Sequence, residues 1–366
     1  MAALVIVLLL VIAGLSYRSL TRNSTDLELF SDYPGEVIEE NITTVAANLE
    51  IPWDFAFLPD ESMLVTERPG RLVLITTDGT RSTIAVPDVV PHGEGGLLGL
   101  TLHPKFSENH QLYLYISTGA LTQTTNKVVR YVYADHQLSD AKTIIDNIPG
   151  AIYHDGGRME FGPDGSLYIT TGDASNSALA QDKNSLAGKI LRIHDDGSIP
   201  QDNPFGTAIY SYGHRNPQGL AWDDQGRLWE TEHGRSGLQS GLDEINVIEP
   251  GANYGWPTIE GDKTQADMQS PARHSGTDVT WAPASAAYAD GRIFFGGLRG
   301  EALYEALLDN EKIVEIKEHF KETFGRIRTV RVGPDGALYF TTSNRDGRGT
   351  AQTGDDKLIR VTLPLR

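Results

Sequence analysis

Six stretches of this 366-residue chain repeat one plan, and no other feature constrains the fold as much. FLPDESMLVTER begins at Phe57, LHPKFSENHQLYLYIS at Leu102, FGPDGSLYITTGD at Phe161, WDDQGRLWETEHG at Trp222, YADGRIFFGG at Tyr288 and VGPDGALYFTTSN at Val332. Each has an apolar residue, then a Pro/Asp/Gly turn, then alternating large apolar residues. Asp-Gly supplies the positive backbone dihedrals of a tight hairpin turn, and the alternation that follows puts one face of a strand into a core. The spacing of about 45 to 65 residues leaves room in each unit for a four-stranded sheet with one extra loop. Helical periodicity is nearly absent. GEALYEALLDNEK near Gly300 has a helix-like composition, but it follows a hairpin and reads as another strand. The expectation is an all-β chain folded as a six-bladed β-propeller, with two packed sandwiches as the alternative. The C-terminal strand DDKLIRVTL at Asp355 is expected to pair with chain near Val37 to Leu49 and close the ring.

The N-terminus reads differently. MAALVIVLLLVIAGLSY is an uncharged apolar run of about 15 residues, the length of a signal-peptide core and short for a membrane span. Residues 1–16 are therefore read as a signal peptide or an N-terminal membrane anchor, 17–37 as a polar tether, and 38–366 as an exported, periplasmic or extracellular propeller domain. A formal charge of −18 argues against nucleic acid as a partner, because such binding needs clustered Lys and Arg. With no cysteine in the chain, disulfides, thiolate metal sites and cysteine nucleophiles are excluded.

In a propeller the functional loops surround the central channel. Glu94 is the only charge in the glycine-rich loop HGEGGLLGLTLHP, whose Gly93, Gly95, Gly96 and Gly99 allow backbone to approach backbone or ligand. In SYGHRNPQGLAW, Arg215 and Asn216 form a planar donor set suited to carboxylate or carbonyl oxygens. The loop from Thr231 joins glycine-rich carbonyls to Asp243 and Glu244, donors for a hard cation such as calcium, though without EF-hand spacing. Arg326 and Arg328 stand two apart in FGRIRTV, on one face of a strand, where they repel unless an anion lies between them. His154, in YHDGGRMEFGPDGSLYITTGD, taken by itself, reads as a packed core or turn residue more readily than as a catalyst. Together these loops suggest a polyanionic ligand held partly through a metal.

Seven ordered motifs from Ile51 to Val361 carry a resemblance: IPWDFAFLPDESMLVTERPGRL, GEGGLLGLTLHPKF, YHDGGRMEFGPDGSLYITTGD, SLAGKILRI, GHRNPQGLAW, the EHG to DEINVIEPGANYGWP stretch, and GRIRTVRVGPDGALYFTTSN. The chain resembles the soluble pyrroloquinoline quinone (PQQ) dependent aldose sugar dehydrogenases of the glucose/sorbosone dehydrogenase family. The resemblance implies a six-bladed propeller that binds PQQ with Ca2+ and oxidises the anomeric hydroxyl of an aldose to a lactone, with hydride transfer to PQQ and an external electron acceptor. It implies His154 as general base, oriented by Asp173. Arg215, Asn216, Arg326 and Arg328 match cofactor contacts. Arg299 falls where the family commonly has lysine, and Glu94 where some members have glutamine. Gly234 and Arg235 match the pair whose carbonyls bind calcium, with Asp243 nearby. Tyr153 stands where glucose-specific members carry an acid, and Arg235 to Gly241 lengthen the calcium loop. The rival readings are a calcium-dependent lactonase and a non-enzymatic ligand-binding propeller.

Overall fold

In the computed structural model, which describes residues 42–362, the chain forms six antiparallel sheets of four strands each. The expected signal or anchor segment and tether lie outside the described residues, among which no helix is long and apolar enough to cross a membrane. The innermost strands of blades 1 to 6 are Pro52–Phe57, Leu97–Leu102, Met159–Phe161, Pro217–Trp222, Pro283–Ala289 and Ile327–Val332. In blades 1 to 5 it is also the first strand of its blade in sequence; in blade 6 the strand Ile42–Ala46 comes earlier in the chain. The six repeats are the hairpins from these strands to the next. In blade 5 the turn is the two residues Asp290 and Gly291, both at positive φ (47° and 75°), with Ala289 facing Arg292 across the ladder. In blade 3, Gly162 N–H donates to Ser166 O at 2.9 Å and Gly165 takes φ +76°. The stretch near Gly300 is the strand Ala302–Asp309.

Ring closure follows the expected pairing. Ile42–Ala46 runs antiparallel to Leu358–Val361, Ile42 opposite Val361, so the N-terminal strand completes the last blade. Residues 37–41 lie outside the described structure. One apolar cluster fills each seam between neighbouring blades, for example Leu64, Leu72 and Leu74 of blade 1 against Leu97, Leu112 and Leu114 of blade 2. Each such leucine contributes about 1.5–3 kcal/mol by burial, so radial packing of strand faces holds the ring together.

Midway along the channel the side chains plug it. Arg158, fully buried, pairs with Asp54 at 2.6 Å, lies 4.5 Å over the Trp53 ring and donates to Thr329 Oγ1 at 3.1 Å, which joins blades 1, 3 and 6. Arg331 pairs with Asp54 at 3.2 Å and with Glu160. This plug divides the channel into two mouths. One is formed where the innermost strands begin, the other where they end.

Candidate active site

His154 sits in the loop entering the innermost strand of blade 3, and the glycines around it exist for close approach. His154 itself takes φ +67°, followed by Gly156 and Gly157 at +63° and +103°. A Cβ on Gly172 would stand 2.0 Å from the His154 carbonyl oxygen, and one on Gly93 2.1 Å from that of Ile152. Backbone therefore packs on backbone from two sides, as the Gly93 loop suggested. Glu94 adds a polar tie: its Oε2 accepts the His154 N–H at 2.9 Å, while Oε1 pairs with Arg348 at 2.7 Å. Arg348 in turn lies over the Tyr153 ring at 5.3 Å.

The imidazole Nδ1 lies 2.7 Å from Asp173 Oδ1. A carboxylate only accepts, so this contact assigns the hydrogen to Nδ1 and leaves the lone pair on Nε2. Asp173 is held by further donors, Ser175 N–H at 2.8 Å to Oδ1 and Trp256 Nε1 at 2.9 Å to Oδ2. An imidazole with a fixed tautomer results, its ring oriented by the Asp173 contact.

His154 and Asp173 open on a cavity of about 730 Å³. Its lining includes Glu94, Arg215, Gly234, Arg235, Asp243, Arg299 and Arg326, so most of the residues singled out in the sequence converge here from blades 2 to 6. The loops entering the innermost strands and those leaving the second strands supply all of these. Five guanidinium groups, of Arg215, Arg235, Arg299, Arg326 and Arg348, face three carboxylates, of Glu94, Asp173 and Asp243. That imbalance favours an anionic ligand.

Several of these groups have partners already. Arg215 donates to His233 O at 3.3 Å and Ser236 Oγ at 2.9 Å, and its guanidinium lies 5.3 Å over the Trp256 ring. Arg326 pairs with Asp346 at 2.8 Å. Asp346 thus supplies part of the anion that the Arg326 and Arg328 pattern calls for, since it also lies 3.9 Å from Arg328. Arg328 is the less satisfied of the two. Burial pushes it down to about 9 despite Asp346, with Arg326 and Arg68 opposing its charge. It stands behind the cavity and lines a small adjoining space with Glu94, His233 and Arg348. Asn216 is also set back: its Oδ1 accepts Gly156 N–H at 3.1 Å, while its Nδ2 is buried without a partner. Arg299 is exposed at the rim.

The expected cation loop is ordered by Asp243. Its carboxylate accepts N–H bonds from Gly234 at 2.8 Å, Trp281 at 2.7 Å and Ala282 at 3.0 Å, tying the loop to blade 5. Arg235 N–H bonds back to Gly241 O at 2.9 Å and closes the lengthened segment on itself. Among the described residues, no backbone N–H donates to the carbonyl oxygen of Gly234, while Arg235 pairs with Gly241 in an antiparallel bridge.

Sequence reasoning missed His233, Trp256 and Arg348 as site residues. His233 is half-buried beside Arg215 and Arg328, and desolvation pushes it down to about 3, so it is a neutral imidazole whose Nε2 has no partner. The only sequence signal for Trp256 was its place in the NYGWP motif; Arg348 had none.

Comparison with known proteins places the chain in a family. The Glucose / Sorbosone dehydrogenase family model matches residues 49–360. The aldose sugar dehydrogenase YliI of Escherichia coli is 33% identical over 84% of this chain and 91% of its own. Among solved structures, the PQQ-bound aldose sugar dehydrogenase of Streptomyces coelicolor superposes with a TM-score of 0.82 at 39% identity, covering 88% of this chain and 98% of that one. The apo form of the Escherichia coli soluble aldose sugar dehydrogenase gives 0.77 at 31%, covering 88% and 99%. With the family model matching residues 49–360 and these relatives covered over most of their own length, the chain belongs to the glucose/sorbosone dehydrogenase family.

Proposed function

We propose that the protein is a PQQ-dependent aldose sugar dehydrogenase that oxidises the anomeric hydroxyl of an aldose to the lactone and passes the electrons to an external acceptor. The observation that carries this reading is the 2.7 Å His154–Asp173 contact opening on a cavity where guanidiniums outnumber carboxylates. The donor chemistry fits PQQ, a planar tricarboxylate: Arg215, Arg326 and Arg328 are the groups for its carboxylates, with Asn216 and Arg299 beside them. For calcium, the donors are hard oxygens, the carbonyls of Gly234 and Arg235 and the Asp243 carboxylate. Bound PQQ would supply the two-electron acceptor for the sugar.

The protein's own part is proton chemistry and positioning. His154 Nε2 takes the proton of the anomeric hydroxyl, and Asp173 stabilises the imidazolium that forms. Trp256 and Ser175 keep Asp173 aimed at Nδ1 throughout. Tyr153, about half exposed at the rim, offers an apolar face to a pyranose ring. The guanidiniums supply preorganised positive charge where the transition state becomes negative. A calcium-dependent lactonase would want side-chain carboxylates in the channel rather than guanidiniums, so the lining argues against it.

Dye reduction by the purified protein, assayed with a panel of aldoses with and without added PQQ and Ca2+, tests the reading. Activity that requires PQQ and any one aldose supports it. Absence of turnover, together with an unchanged PQQ absorption spectrum on mixing, overturns it.

A further inference from the structure

Blades 3 and 4 meet across the apolar cluster with the fewest buried members, and beside it blade 4 turns a polar face inward. On the strand Leu228–Glu232, Glu230 and Glu232 follow Leu228 on one face. In the neighbouring strand Glu244–Ile248, Asn246 stands opposite Glu230 and Glu244 opposite Glu232. These four side chains are at most 6% exposed. His214, fully buried, joins them from the loop that precedes blade 4's innermost strand. The ligand-bearing atoms of His214, Glu230 and Glu232 all lie within 4.8 Å of one another.

Buried carboxylates are ordinarily paired with cations or with metals. Among the described residues, no Lys or Arg forms an ion pair with Glu230, Glu232 or Glu244. The nearby Lys189 spends its ammonium on the carbonyls of Leu179, Ala180 and Ala187. Neutral donors reach the carboxylates, Asn246 Nδ2 to Glu230 at 3.0 Å, Arg215 N–H to Glu232 at 3.0 Å and Gly261 N–H to Glu244 at 3.1 Å, and Glu232 and Glu244 lie within hydrogen-bond reach of each other. Glu230 Oε1, Asn246 Oδ1 and His214 Nδ1 are left buried without a partner. The His214 ring is already oriented, its Nε2 at 2.8 Å from Ser211 Oγ and its face stacked 4.7 Å from Tyr254, with Nδ1 3.6 Å from Glu232 Oε2.

We propose that His214, Glu230 and Glu232 form a site for one divalent transition-metal ion, of the zinc or manganese class, between blades 3 and 4. One imidazole nitrogen with two carboxylates is a donor set such ions accept, whereas calcium takes oxygen alone. The site is separate from the Gly234, Arg235 and Asp243 oxygens, since none of its three ligands lines the 730 Å³ cavity. It nevertheless touches the active site through one backbone segment. Glu232 Oε2 holds the Arg215 N–H, and Arg215 O accepts the Asp173 N–H at 2.8 Å. An ion fixing Glu232 therefore braces the segment that presents Arg215 and Asp173.

The test is retention of Zn2+ or Mn2+ by the full chain after desalting, with saturating Ca2+ present throughout so that the Gly234 loop cannot account for it. Elemental analysis is expected to find about one transition-metal ion per chain, and Glu230→Leu, which swaps one ligand for an apolar group of similar size, is expected to weaken retention at least about tenfold. A transition-metal chelator should lower the Tm of the wild-type protein and leave that of the variant unchanged. Anomalous diffraction at the zinc edge from wild-type crystals provides a readout that does not depend on the variant folding, with a peak expected between His214 and Glu230. No retained ion, equal retention by variant and wild type, or a peak elsewhere overturns the proposal and leaves the carboxylates holding protons.

Discussion

The two mouths of the channel are made by the same six innermost strands, and they use glycine for opposite reasons. At the mouth where the strands end, Gly165, Gly226 and Gly336 sit in the repeated turns at φ near +75°, and a Cβ there would meet nothing within 4 Å. Glycine is present for its dihedrals alone. At the mouth where the strands begin, Gly172 is pressed against the His154 carbonyl and Gly93 against that of Ile152. There glycine is present for space. The charges differ in the same way. The end mouth encloses about 430 Å³ and is lined by Phe57, Phe161, Trp222 and Tyr288, its Arg331 neutralised by Asp54 and Glu160. The start mouth keeps guanidiniums in excess. A fold can thus repeat its turns at one end while its other end, freed from that repetition, holds the chemistry.

The sharpest test of that division is His154→Ala, expected to lower turnover by about 100- to 10,000-fold with Tm and the PQQ absorption spectrum unchanged. Near-normal turnover would mean the start mouth is not where the proton moves. Gly172→Ala comes next. Its methyl must displace the His154 loop, so kcat should fall by about 100-fold, and a crystal structure should show that loop moved. Arg331→Met, at the plug toward the other mouth, should cost about 2 kcal/mol in urea unfolding by leaving Asp54 with Arg158 alone, and kcat/KM should hold. Removing a donor while keeping a ring, as Trp256→Phe does, loosens Asp173 and should reduce kcat about tenfold with KM little changed. The smallest effect belongs to Gly165→Ala: about 1 kcal/mol of stability from the strained φ, with no change in activity. If Gly165→Ala impaired turnover as Gly172→Ala does, the contrast between the mouths would collapse.

The repeated hairpins were readable because everything that makes them is local. Asp290 and Gly291 reach the dihedrals of their turn without help from another blade, and the alternation after each turn selects its buried face. The closing pair of strands was readable for a related reason, since an unpaired strand at each end of a cyclic repeat has one place to go. The site was only partly readable. His154, Asp173 and the arginines could be singled out by motif, yet the Arg326 and Arg328 pattern did not reveal that Asp346 already stands between them and part of their charge. Trp256 reaches Asp173 across 83 residues and Arg348 reaches Glu94 across 254. Such contacts leave no periodic trace.

By itself, then, the sequence determined the blade count, the strand faces, the turn chemistry and the presence of a histidine, acids and arginines in loops, because these depend on dihedral preference and on patterning over a few residues. The tertiary structure alone decided which of those loops share a mouth, which guanidiniums keep their charge unspent, and that three carboxylates of blade 4 are buried in a seam without a cation. Those properties arise from distances between blades, and a distance between blades is set only when the ring closes.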